Sequence, residues 1–144
     1  MNEHPVATRA LSAGGVLLLV VAATHLAVTP VLRNLFANAA STEAARFWLA
    51  PFLLNHVVVG ILLIPLALST LYAARAARTG AAWARTVALT NAFSVLSLPL
   101  ALVALMGPAY FRALPFLVAS VLITIAGMVL VAAALSLRPA RTAA

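Results

Sequence analysis

The chain has 144 residues, of which 65% are hydrophobic and 8% charged, with a formal net charge of +7 and no cysteine. One domain fits that length, and a soluble fold is excluded, because a chain so poor in charge could not cover its own surface with polar groups. Disulfides, thiol redox chemistry and thiolate metal sites are excluded with the cysteines.

All nine basic residues are arginine, and they flank apolar runs without forming a continuous patch. That distribution suits lipid headgroups, so the expected partner is the bilayer and not nucleic acid. The N-terminal tail carries Glu3, His4 and Arg9 and is expected to be solvated. The first apolar span covers residues 11–32, with Pro30 near its end. A retained helix is expected there, since the run is longer than a usual signal-peptide core and no clear small-x-small cleavage site followed by a mature soluble domain appears.

The second span covers residues 47–72, the third 83–106 and the fourth 115–137. Each is long enough to cross a hydrocarbon core of about 30 Å as a helix. Barrel strands are far shorter, so the fold class is an all-α integral membrane protein. The intervening loops, 33–46, 73–82 and 107–114, are short and make neighbouring helices antiparallel, which gives a four-helix bundle in one domain.

Local signals refine the ends. Ser41 is the expected cap of the second helix, with Glu43 in its first turn. Pro115 suits the first turn of the fourth helix. Pro65 and Pro99 fall inside spans, where kinks accommodated by packing are expected. Thr90, Ser94, Ser97 and Ala101 follow one face of the third helix, and Ser120, Thr124, Gly127 and Val131 one face of the fourth. Small residues at that spacing predict close packing of these two helices.

Arg9, Arg75, Arg78, Arg85, Arg138 and Arg141 lie at one end of the bundle, and Arg33, Arg46, Arg112 and Glu43 at the other. The excess places both termini in the cytoplasm, in a multi-pass protein of the bacterial inner (cell) membrane. Phe47, Trp48, Tyr110 and Phe111 mark the outer interface, and Tyr72 and Trp83 the inner one.

His25 and His56 lie inside the first two spans, roughly 10 and 13 Å below the outer ends at 1.5 Å per residue. Antiparallel neighbours therefore bring the two imidazoles to one level. Thr24, Thr29 and Asn55 are the polar neighbours expected there, and Arg33 continues the face of His25 and Thr29 outward. Intramembrane ionisable groups point to function by default. Two imidazoles suit axial ligation of haem, part of a metal site, a quinone carbonyl or a proton relay, or a structural bond to each other. No acidic residue or third intramembrane histidine completes a metal site, so none is expected.

In architecture the chain resembles small bacterial four-helix membrane families such as the DoxX-like proteins, with no diagnostic motif that carries residues or activity across. It is also similar in size to small multidrug transporters, but their acidic residue in the first helix has no counterpart here. The expected function is an accessory or structural membrane subunit, with a homo-oligomer or a larger membrane complex as its setting. A haem- or quinone-binding redox protein using His25 and His56 is the alternative, and a small-solute transporter the next. The topology is tested by Arg78→Cys and Ala40→Cys in intact cells. A membrane-impermeant thiol reagent should label only the second, and labelling of both from one side would refute the orientation.

Overall fold

The computed structural model describes residues 5–112 and 114–137. Four α-helices follow one another: α1 (Pro5–Ala39), α2 (Glu43–Arg78), α3 (Trp83–Met106) and α4 (Leu114–Ser136), with a short 3-10 turn (Pro108–Arg112) between the last two. All four are long and apolar enough to cross a membrane. Each helix packs on its neighbours in sequence, and α4 closes the ring against α1. The bundle has a termini end and a hairpin end, the latter carrying the α1–α2 and α3–α4 connections. Arg138 and Arg141, which enter the orientation argument, and His4 lie outside the described residues.

The first connection is much shorter than the loop expected over 33–46. Helix α1 runs through Pro30 to Ala39 and α2 begins at Glu43. The segment after Pro30 contains no further proline or glycine, so nothing in it stops a helix once Pro30 is accommodated. The cap of α2 is Thr42 and not Ser41: its extended backbone (φ −114°, ψ 155°) lets the hydroxyl accept from the Ala45 amide at 3.1 Å. Glu43 does occupy the first turn, against the positive end of the helix dipole. Helix α2 likewise runs on to Arg78, leaving a tight turn at Gly80, whose φ of +76° favours glycine. With 35 and 36 residues, α1 and α2 measure ~52–54 Å, against ~35 Å for the 24 and 23 residues of α3 and α4.

Alanine dominates the centre. Ala67, Ala73 and Ala74 of α2 and Ala88 and Ala92 of α3 belong to one buried cluster with Leu11, Leu18, Leu63, Val95 and Leu130. Small side chains bring the axes together, so burial here acts through close backbone approach more than through bulky interdigitation. The buried residues are confined to one half of the bundle. Among the described residues, none is buried beyond Ala22 on α1, before Gly60 on α2, beyond Val95 on α3 or before Ser120 on α4. Past that level α1 still packs on α2 through His25 and Phe36, while Thr24 and Val28 are exposed.

The packing of α3 on α4 differs in part from the polar stripes. On α4, Ser120 and Gly127 are buried and Thr124 and Val131 half-buried, so that stripe does face the bundle. On α3, Thr90, Ser97 and Ala101 are exposed and Ser94 only half-buried. Ala84, Ala88, Asn91, Ala92 and Val95 form its buried face instead. The hydroxyls of Ser94 and Ser97 bond to carbonyls of their own helix, Thr90 O at 2.9 Å and Ser94 O at 2.7 Å, and so need no neighbour.

Asn91 is the polar anchor between α2 and α3. Its side-chain amide donates to Ser69 Oγ at 2.8 Å and Thr70 Oγ1 at 3.1 Å. Those hydroxyls in turn donate to Pro65 O and Leu66 O, both at 2.7 Å. Every hydrogen in the cluster is used, which removes the desolvation penalty of burying it.

Gly127 is where α4 touches α3 most closely, since a Cβ built there would lie 2.6 Å from both Cγ and Cδ2 of Leu96. Gly127→Leu should therefore overpack the contact and destabilise the bundle by about 1–3 kcal/mol. An unchanged melting temperature in detergent would contradict this placement.

Candidate functional site: the histidine pair

The pair is assembled by the α1–α2 contact. A Cβ on Gly60 would stand 2.9 Å from Leu26 Cδ2 and 3.3 Å from His25 Cβ. Farther along the hairpin, a Cβ on Gly15 would stand 2.7 Å from Leu71 Cγ and 3.2 Å from the Ala67 carbonyl oxygen. Two glycines, one on each helix, thus let the backbones approach, Gly15 within the buried core and Gly60 at its last layer. His56, one turn from Gly60, then reaches across to α1.

The two imidazoles stack face to face, with centroids 4.2 Å apart and planes inclined by 20°. His56 Nε2 lies 3.0 Å from the backbone carbonyl oxygen of His25. A carbonyl oxygen only accepts, so Nε2 carries the hydrogen and donates it. The same carbonyl oxygen accepts the Thr29 hydroxyl at 2.9 Å. Both rings are half-buried and sit just beyond the last buried layer, three residues past Ala22 and four before Gly60.

The structure therefore brings His25, His56 and Thr29 together. It does not bring in Asn55, which is exposed. Consecutive helical residues point about 100° apart, so with His56 turned to α1 its neighbour turns toward the α3 side. Thr24 is exposed and bonds to Val20 O at 2.8 Å. Arg33 is exposed, two turns beyond His25. Asn91 and its hydroxyl partners were absent from the sequence expectations. A carboxamide in an otherwise apolar span was the signal available, because unlike a hydroxyl it gains little from bonding to its own helix.

Face-to-face stacking decides what the pair can do. Two axial imidazoles on one iron point their nitrogens at each other across about 4 Å, with the porphyrin plane between them, taking metal–nitrogen bonds of ~2 Å. Rings stacked at 4.2 Å leave no such gap, and His56 Nε2 is already committed to a carbonyl. Among the described residues no third histidine, aspartate or glutamate joins the pair to form a metal site. Comparison of the chain with known protein families, with characterised proteins and with solved structures returns no match.

The hydrogen bond is asymmetric, and this can be measured. His56→Phe keeps a ring for stacking but loses the donor, and should destabilise by about 0.6–2 kcal/mol, the range of interhelical polar contacts in membranes. His25→Phe keeps both ring and carbonyl acceptor and should cost distinctly less. Equal losses, measured as unfolding free energies in the same detergent, would contradict the bond.

Proposed function

We propose that the chain is a multi-pass protein of the cell membrane, with both termini in the cytoplasm, that serves as a structural or accessory subunit. The observation that carries this reading is the use of the intramembrane histidines: His56 bonds to the backbone of α1, and its ring stacks on His25. Both contacts fasten one hairpin, and an intramembrane imidazole committed this way is accounted for by packing alone. The arginine-rich termini end supports the orientation, since Arg75 and Arg78 close α2 and Arg85 opens α3 on that side.

A second reading keeps one observation of its own. The His25 ring makes no hydrogen bond to any described residue and is only half-buried. A single imidazole so placed suits a quinone carbonyl or one axial position of a haem. The visible absorption spectrum of the protein purified from haem-sufficient cells separates the haem form of this reading from the structural one. The structural reading expects no Soret band. A band that disappears in His25→Ala would establish the cofactor reading in its place.

A further inference from the structure

The exposed side of α2 in the hairpin half carries a second pattern. Trp48, Pro51, Asn55, Val58, Leu62 and Pro65 recur at alternating spacings of three and four residues, and all are exposed. That is the a/d spacing of a helix–helix seam. The exposure is substantial: 65% at Trp48, 39% at Val58 and 57% at Leu62. On the adjoining face of α2, at Ser69 and Thr70, α3 covers the helix through Asn91. Toward the hairpin end α3 covers it no longer.

Asn55 stands at the centre of this seam, seven residues below Trp48, or about 10 Å deeper along the helix. Its carboxamide makes no hydrogen bond among the described residues. The exposed hydroxyls of Thr24 and Ser97 bond to their own helix. Hydrocarbon offers an amide nothing, so the group needs a partner from another molecule. Copies inserted the same way in a bilayer present parallel α2 helices with Asn55 at one depth. A carboxamide both donates and accepts, so it pairs with its own image across a two-fold axis. An asparagine at an a position also fixes register and favours pairing with another asparagine.

We propose that two copies of this chain associate through α2, with the seam from Trp48 to Leu62 packed about a two-fold axis and the Asn55 side chains hydrogen-bonded to each other. The proposal rests on the chain spanning a bilayer, which the labelling of Ala40→Cys and Arg78→Cys tests separately. The full chain, labelled with donor and acceptor dyes in phosphatidylcholine vesicles, should show energy transfer that falls on lipid dilution as a monomer–dimer equilibrium. Asn55→Leu should weaken that equilibrium about 3- to 30-fold. Because the chain has no cysteine, single cysteines report the seam directly. Asn55→Cys, Val58→Cys and Leu62→Cys should cross-link between copies on mild oxidation. Leu54→Cys and Ile61→Cys, at positions similarly exposed at 65% and 53%, should not. A wild-type chain monomeric at all dilutions overturns the proposal, as does a dimer insensitive to Asn55→Leu. Cross-linking strongest at Leu54 and Ile61 overturns it too.

Discussion

Between α1 and α2 the backbones approach so closely that a methyl group at Gly15 or Gly60 would collide with the opposite helix, and the remaining features of the hairpin follow from that approach. It brings the His56 ring within bonding distance of a main-chain carbonyl on α1. It also makes α1–α2 the most extensively packed pair, against which α4 and α3 complete the ring. Gly127 of α4 meets Leu96 of α3 as closely, so the same economy of side-chain volume recurs there. Dispersion between closely placed backbones is what lipid cannot supply in competition, since it solvates a leucine as well as another leucine does.

Polar groups divide into two kinds. Ser12, Thr24, Thr70, Ser94, Thr124 and Ser136 each donate to a carbonyl four residues back on their own helix. Such groups are satisfied wherever they point, so they say little about which face is inside. Side chains that cannot close such a bond with profit are different. Asn91 and His56 reach another helix and tie α2 to α3 and to α1.

This division accounts for what was legible in the sequence. The four helices and the meeting of His25 with His56 were readable, because apolar run length and equal depth on consecutive antiparallel helices are properties of the chain's linear order. The helix ends were read short at residues 32 and 47, because polarity there reflects leaving the hydrocarbon and not leaving the helix. The stripe through Thr90, Ser94 and Ser97 misled because its serine hydroxyls are self-satisfied, while the true inner face of α3 is written in alanine, which carries no contrast in an apolar span. Asn55 was grouped with His56 by adjacency in sequence, but a helix separates such neighbours by about a third of a turn.

The unequal lengths of the two helix pairs have a consequence for how the molecule meets its surroundings. The shorter pair, α3 and α4, is close in length to the ~30 Å hydrocarbon core of a bilayer. The longer pair exceeds the shorter by ~17–19 Å of helix, and the residues at its hairpin end include Arg33, Asn34, Asn38, Glu43 and Arg46. The tip of α1–α2 is a stiff helical extension beyond the shorter pair. It is joined by only three non-helical residues, Ala40 to Thr42, so whatever touches it is coupled mechanically to the helices that carry the histidine pair.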